Sequence, residues 1–217
     1  FIMRTSLALV VILAVIPALV LCTDGFDLSY FQGRLGESTF TCLKNSGYTF
    51  GVIQAQTEDG SPNQYAVGNV QAAHSAGIEH VDLYIFPNPN SDPATQVKNT
   101  INAMQGALGG NMIWFDIEAP SAWNSDCSAN VAWLQKAIST AKSVSSAGIG
   151  IYSSASQWGP IMCSSTDFSS YPLWYAHYDG NPSFSDFSPF GGWNRPAVKQ
   201  YQGTTSICGT SIDKDYY

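Results

Sequence analysis

The chain has 217 residues, and its nine lysines and arginines stand against sixteen aspartates and glutamates, which gives a formal net charge of −7. This length suits one α/β domain with a substantial core and leaves little room for a second domain. The acidic balance argues against nucleic acid and against anionic membranes as partners.

The first 22 residues have the composition of a secretory signal peptide. Met3-Arg4 supplies the positive charge, and segment 7–21 is almost wholly Leu, Val, Ala and Ile but too short for a confident membrane span. We expect cleavage near Cys22/Thr23, with 1–22 as the signal peptide and 23–217 as one folded domain. The mature protein would carry eight basic and sixteen acidic residues, a formal charge of −8, and would be secreted or lumenal.

Downstream of this segment, short apolar stretches alternate with helical ones. Asp92 is typical of a helix N-cap, with Pro93 at the first helical position, and glycines follow several predicted helix ends. The predicted helices cover 38–46, a stretch that ends at 76, 93–108 and 128–147. The predicted strands cover 25–29, 50–56, 81–86, 111–118, 149–153, 173–178, 197–202 and 211–216.

Eight strands in this order predict an α/β fold, an irregular (β/α) barrel that is TIM-barrel-like. The second half departs from a regular barrel. Little helical pattern occurs between 153 and 173, and 181–196 contains three prolines and Gly191-Gly192. We therefore expect an incomplete outer ring of helices.

The fourth predicted strand ends in two carboxylates separated by one residue. Side chains alternate along a strand, so Asp116 and Glu118 project to the same side, and Phe115 and Ile117 to the other. Two acids on one face repel, and a common use of such a pair is to keep one as a proton donor and the other as an anion. The alternative is that they cap the next helix.

Further polar and aromatic residues fall near the strand ends where a parallel barrel gathers its functional groups. On this interpretation Asp27 and Tyr152 join the two acids, Gln200 lies in the seventh strand and Asp213 in the eighth. Trp174 and Tyr178 share one face of the sixth strand. For these aromatic residues, core packing competes with stacking on sugar rings.

Four cysteines remain after the predicted cleavage, and an even number indicates two disulfides. Spacing alone leaves three connectivities open. The order of the strands in a closed barrel favours Cys127–Cys163 and Cys42–Cys208. No two cysteines have metal-binding spacing and the three histidines are isolated, so we expect no metal and no cofactor.

Several motifs occur in one register over residues 24–217. They are Asp27 in Phe-Asp-Leu-Ser with Gln32-Gly33, Asp116-Ile-Glu118, Tyr152 in Ile-Tyr-Ser, Trp174-x-Ala-x-Tyr178, Gln200-Tyr201 and Ile212-Asp213. Together they resemble glycoside hydrolase family 25, the Chalaropsis-type lysozymes or N-acetylmuramidases. Phe40-x-Cys42-Leu-Lys, Tyr84-x-Phe86-Pro87 and Phe190-Gly-Gly-Trp193 further resemble the lysozymes of this family from nematodes and amoebae.

The resemblance implies hydrolysis of the β-1,4 bond between N-acetylmuramic acid and N-acetylglucosamine in bacterial peptidoglycan, for antibacterial defence or digestion. It assigns Glu118 as the general acid, with a supporting cluster of Asp27, Asp116 and Asp213. The expected substrate-binding residues are Tyr84, Tyr152, Trp174, Tyr178 and Gln200. The mature protein is expected to be a monomer that binds peptidoglycan. A protein nucleophile (Asp27 or Asp116) and the substrate's own 2-acetamido group both remain open as the attacking group.

Two other interpretations compete with this one. Family 18 chitinases carry Asp-x-x-Asp-x-Asp-x-Glu, and this chain has Trp114 where that pattern needs an aspartate, so only the last two acids match. A barrel that binds a glycan without cutting it, as a lectin or immune regulator, is the alternative from another class. A binding protein would have no need for carboxylates that repel one another, so the cluster favours an enzyme.

Overall fold

The computed structural model describes residues 23–109 and 111–217. The predicted signal peptide, 1–22, lies outside the described residues. Among those residues, no helix is long and apolar enough to cross a membrane.

The domain is a closed barrel of eight strands that neighbour one another in sequence order. The first seven pair in parallel, and β8 runs antiparallel to both β7 and β1. The strands are β1 (Asp24–Leu28), β2 (Tyr48–Gln56), β3 (His80–Ile85), β4 (Met112–Asp116), β5 (Gly148–Ser153), β6 (Leu173–Ala176), β7 (Val198–Ile207) and β8 (Thr210–Tyr216). The predicted fold class is confirmed.

Five α-helices of the described residues pack outside the barrel. They are α1 (Glu37–Asn45), α2 (Ala66–Ser75), α3 (Pro93–Ala103), α4 (Cys127–Val144) and α5 (Ala155–Met162). The stretch between β6 and β7 contains no described helix, and β7 joins β8 through a tight hairpin. The expected incomplete outer ring is therefore present.

Helix α5 contradicts the expectation of little helical structure between 153 and 173. Trp158, Ile161 and Met162 are buried and have the i, i+3, i+4 spacing of one helical face. Pro160 lies inside the helix, and Gly159 precedes it. This dipeptide is usually a helix breaker, but burial of the Trp158 indole outweighs the local preference.

Helices α1 and α2 end within one residue of their predicted ends, whereas α3 and α4 end clearly earlier. Helix α3 stops at Ala103, because Met104–Leu108 continue as turns in which the amide of Ala107 donates to the carbonyl of Met104 at 2.7 Å. Helix α4 stops at Val144, where Ser145 adopts an extended backbone with φ −145°. Neither end changes the strand that follows.

The strand alternation separates two apolar layers. Phe115 and Ile117 point outward into the core between the strands and the helices. Trp114 points inward, where it belongs to a smaller cluster that fills the barrel. The members of this inner cluster are Val52, Tyr84, Trp114, Tyr152, Trp174 and Val198. The filled interior leaves space for a ligand only at the barrel ends.

Two disulfides join elements that are distant in sequence. Cys42 bonds to Cys208 and Cys127 to Cys163, with Cα–Cα distances of 5.7 and 5.8 Å. These are the pairs that the strand order favoured. The first links α1 to the hairpin between β7 and β8, and thereby ties the two sides of the barrel closure together.

Candidate active site

A cleft of about 710 Å³ opens at the carboxyl ends of the parallel strands. It brings together every residue predicted to act in catalysis or substrate binding. These are Asp27, Asp116, Glu118 and Asp213, with Tyr84, Tyr152, Trp174, Tyr178 and Gln200. Among the residues that the structure describes, the cleft lining contains no lysine, arginine or histidine.

The central strand delivers Asp116 and Glu118 to the cleft. Strand β4 ends at Asp116, but the chain stays extended for one more step because the amide of Ile117 donates to the carbonyl of Tyr152 at 2.8 Å. The Ser153 hydroxyl donates to the Ile117 carbonyl at 2.7 Å. Glu118 therefore projects on the same side as Asp116. Glu118 is half-buried at the cleft, whereas Asp116 is only 7% exposed.

The alternative role for these acids, helix capping, is wrong. Ala119 has φ 55° and turns the chain sharply away, and it occupies the N-cap position of a 3₁₀ turn at Pro120–Ala122. Asp126 caps α4 by accepting from the amide of Ser128 at 2.9 Å. Neither Asp116 nor Glu118 takes part in either cap, so both carboxylates are free for the cleft.

Asp27 and Asp213 meet where the barrel closes. They are directly opposite one another on β1 and β8, and their side chains therefore share the inner face. Asp213 lies in the middle of the antiparallel strand β8, and its side chain reaches the same cleft. Burial raises the pKa of Asp213, and the hydrogen bond that the amide of Thr204 donates to its carboxylate at 2.6 Å partly offsets this rise.

Gln200 connects these acids to two tyrosines. Its amide nitrogen donates to Asp27 at 2.7 Å and to Asp213 at 3.4 Å. Its carbonyl oxygen accepts from the hydroxyls of Tyr152 at 2.6 Å and Tyr178 at 2.7 Å. All four hydrogen-bonding positions of this buried amide are thus used, which fixes the orientation of the surrounding side chains.

The environment raises the pKa of each acid in the cleft. Burial, with the nearby Asp213, raises the pKa of Asp27 to about 8. Burial and the charge of Glu118 raise the pKa of Asp116 well above its usual value. Burial and the charge of Asp213 also raise the pKa of Glu118. Four carboxyl groups packed this closely cannot all ionise together, so the cluster retains protons at pH values where isolated acids are anions.

The aromatic residues divide into buried and open ones. Trp174 is 2% exposed and its ring packs against Tyr152 at a centroid distance of 4.6 Å and against Tyr84 at 6.2 Å. These three rings belong to the inner core and form the floor of the cleft. Tyr178, by contrast, is 60% exposed. Its ring is the one of the four that is open to stack on a sugar.

Sequence reasoning missed several residues of the cleft. Phe31 is 84% exposed on its rim, next to Tyr30, whose ring lies 5.4 Å from that of Tyr65. Asp215 is fully buried below it and accepts from the Trp174 indole at 2.8 Å. A signal for Asp215 was present, because Asp213-Lys-Asp215 repeats the spacing of Asp116-Ile-Glu118.

One group of described residues outside the cleft has the arrangement of metal ligands: His177, Asp179 and Asp186. The ammonium of Lys199 lies 2.9 Å from Asp179 and 2.8 Å from Asp186. A lysine therefore already neutralises the two carboxylates that a cation would need.

A closed β/α barrel that carries a carboxylate cluster and aromatic side chains at the carboxyl ends of its strands has the architecture of a glycoside hydrolase. The sequence identifies the family. A family model described as "Lysozyme-like protein 1" matches residues 26–201. The chain is 47% identical over 181 residues to "Probable GH family 25 lysozyme 2" of Dictyostelium discoideum. The aligned region covers 82% of this chain and 84% of the relative. This chain belongs to glycoside hydrolase family 25, the lysozyme family named above.

Other similarities agree with this assignment. "Probable GH family 25 lysozyme 4" of Dictyostelium discoideum is 42% identical, with 99% of both chains covered. "Counting factor 50" of the same organism is 36% identical and covers 90% of this chain and 66% of its own length. A lysozyme from Streptomyces coelicolor shares the fold, with a TM-score of 0.73 at 22% identity, over 89% of this chain and 90% of that one.

Proposed function

We propose that this protein is an N-acetylmuramidase that hydrolyses the β-1,4 bond between N-acetylmuramic acid and N-acetylglucosamine in bacterial peptidoglycan. The observation that carries the proposal is the position of Glu118. It is half-buried at an open cleft, its pKa is raised by burial and by Asp213, and three further carboxyl groups surround it. These properties suit an acid that must hold a proton for the leaving oxygen.

In the proposed reaction, Glu118 donates its proton to the glycosidic oxygen as the bond to the muramic acid breaks. The positive charge that develops on the sugar ring is stabilised by the negative charge of the cluster. We assign this charge to Asp213, because the amide of Thr204 stabilises its anion and partly offsets the effect of burial. Tyr178 and the rim around Phe31 would contact the sugars on either side.

The raised pKa values also bear on the attacking group. Burial raises the pKa of Asp27 to about 8 and raises the pKa of Asp116 well above its usual value. A neutral carboxyl group is not a nucleophile, so this environment supports attack by the substrate's own 2-acetamido group. Asp116 would then hold that group in place.

A glycan-binding protein without activity is the competing proposal, and the similarity to "Counting factor 50" shows that relatives of this chain do not all carry the name lysozyme. Incubation with purified, insoluble peptidoglycan separates the two. A muramidase releases soluble fragments and new reducing ends in proportion to time. Binding to the wall with no release would contradict the proposal and favour the lectin.

The proposed setting is an oxidising compartment, either outside the cell or in a lumen such as a phagosome or gut. Two disulfides among the described residues support it, because disulfides persist under oxidising conditions. Peptidoglycan is the proposed partner, and the protein is proposed to act as a monomer. Signal-peptide cleavage near residue 22 remains a prediction.

We predict an acidic, bell-shaped pH profile for wall lysis. Activity falls on the alkaline side as Glu118 loses its proton, and burial and Asp213 move this limb above the usual range of a glutamate. Activity falls on the acid side when Asp213 is protonated. A protein of formal charge −8 also meets repulsion from an anionic wall as pH rises.

The measurement is the initial rate of lysis across pH at fixed ionic strength, repeated at high salt. A maximum below neutrality at both salt concentrations is the expected result. A maximum at or above neutrality would refute it. Flattening of the alkaline limb by salt would show that surface repulsion, rather than the titration of Glu118, sets that limb.

A further inference from the structure

Asp215 is a buried acid that the proposed reaction does not use. It is 0% exposed, and one carboxyl oxygen accepts from the Trp174 indole at 2.8 Å. Its other oxygen is buried and receives no N–H or hydroxyl donor from the residues that the structure describes. A fully buried carboxylate with one oxygen left unpaired is costly, so the surroundings of that oxygen are informative.

The strand register places Asp215 beside Asp27. Asp215 lies opposite Gly25 on β1, two residues before Asp27, and both side chains occupy the inner face of the barrel. The carboxyl groups of Asp27 and Asp215 are within hydrogen-bonding contact of one another. Two carboxylates cannot hydrogen bond unless a proton lies between them.

The titratable groups around Asp215 decide where this proton lies. They are Asp27 on β1, Asp213 on β8 itself and Tyr201 on β7, and none of them is a cation. Burial, and then the charge of Asp27, raise the pKa of Asp215 well above its usual value. Asp27, by contrast, accepts a further hydrogen bond from the Gln200 amide at 2.7 Å, which favours its ionised form. When the pair holds a single proton, at pH values above the Asp27 midpoint, that proton therefore belongs to Asp215.

We infer that Asp215 is a positioning residue, a neutral carboxylic acid that donates a hydrogen bond to Asp27 and, together with Gln200, holds the Asp27 carboxyl facing the cleft. The inference deepens the proposed function by assigning a role behind the catalytic cluster. Trp174, on β6, anchors Asp215 through the hydrogen bond from its indole. A series of hydrogen bonds thus connects the Trp174 indole, through the buried Asp215, to Asp27 at the cleft.

The test combines carboxyl-carbon NMR of ¹³C-aspartate-labelled protein with two variants. The Asp215 signal, identified by its absence in Asp215→Asn, should have the chemical shift of a protonated acid at pH 6. Asp215→Asn keeps a neutral hydrogen-bond donor and should leave the midpoint of the Asp27 titration unchanged. Asp215→Leu removes the donor and should raise the Asp27 midpoint by about one pH unit, the size expected for one hydrogen bond to a charged group.

Activity on peptidoglycan supplies a second readout. Asp215→Asn should keep kcat/KM within about threefold, whereas Asp215→Leu should lose roughly 10- to 100-fold. Asp82→Asn is the matched control, because Asp82 also accepts from a core indole, that of Trp114 at 2.9 Å, but at the opposite end of the barrel. It should leave the pH profile and the Asp27 titration unchanged.

An ionised Asp215 signal at pH 6 would overturn the inference. A lower Asp27 midpoint in Asp215→Asn would overturn it as well, because that is the effect of removing a neighbouring negative charge. If Asp215→Leu does not fold, the protonation state of Asp215 from its NMR signal and the Asp27 midpoint in Asp215→Asn still test the inference. These readouts do not depend on hydrolysis, so they remain valid if the proposed function fails.

Discussion

Replacement of Glu118 by glutamine is expected to reduce hydrolysis of peptidoglycan by at least about 10²- to 10⁴-fold, the range that a general acid contributes. The amide has the same shape as the protonated acid and can still donate a hydrogen bond, but it has no proton to give to the leaving oxygen. Glu118 is half-buried on the cleft surface, so the substitution fits without displacing a core residue. The measurement compares reducing ends released with the amount of protein bound to the wall.

Binding to the wall should persist in Glu118→Gln, because the open ring of Tyr178 and the cleft rim are unchanged. Glu79→Gln is the matched control. Glu79 precedes β3 at the other end of the barrel and is exposed to solvent, so this variant should hydrolyse peptidoglycan at the wild-type rate. An active Glu118→Gln protein would remove Glu118 from the assigned role.

Replacement of Lys199 by methionine is expected to cost about 2–3 kcal/mol of folding stability, or roughly 5–10 °C in Tm for a domain of this size. The Lys199 ammonium is buried and bonds to Asp179 at 2.9 Å, to Asp186 at 2.8 Å and to the Ser183 carbonyl at 3.1 Å. Burial raises the pKa of Asp186, but hydrogen bonds from Lys199, His177 and Tyr175 outweigh it and lower the value to about 2. Without the lysine, Asp179 and Asp186 lose the buried cation between them, although Asp186 keeps its hydrogen bonds with His177 and Tyr175.

The expected loss of folding stability is smaller than for a fully buried ion pair, because Asp179 and Asp186 keep some solvent contact. Their side chains are 23% and 18% exposed. Thermal unfolding followed by circular dichroism is the measurement. Lys142→Met is the control, because the Lys142 ammonium bonds to the Tyr171 hydroxyl on the surface and lies 4.6 Å from its ring centroid. Equal losses of stability in the two variants would contradict the assigned role of Lys199.

The sequence predicted the barrel and its acidic end because both depend on local patterns. Short apolar runs separated by helical stretches define the strand order, and alternation along β4 places Asp116 and Glu118 on one side. The sequence left helix capping open as the alternative role of these two acids, and the structure excludes it, because Asp126 caps α4. Such features need no knowledge of distant contacts.

The missed features depend on contacts between distant segments. The antiparallel direction of β8 follows from a two-residue turn, Cys208-Gly209, in which both residues have positive φ, 53° and 76°. Type I′ turns usually contain Asn-Gly, so Cys-Gly was a weak signal. Lys199 and Asp215 look like surface residues in the sequence, and only the closed barrel shows that both are buried with their partners.

The central claim is that the enzyme cuts on the reducing side of N-acetylmuramic acid, and the identity of the new reducing end tests it most directly. Purified peptidoglycan is digested, the products are reduced with borohydride, and mass spectrometry identifies which sugar has become the alcohol. The account predicts reduced muramic acid in the wild-type digest and none above background with Glu118→Gln. Reduced glucosamine at the new ends would contradict it and would identify a glucosaminidase instead.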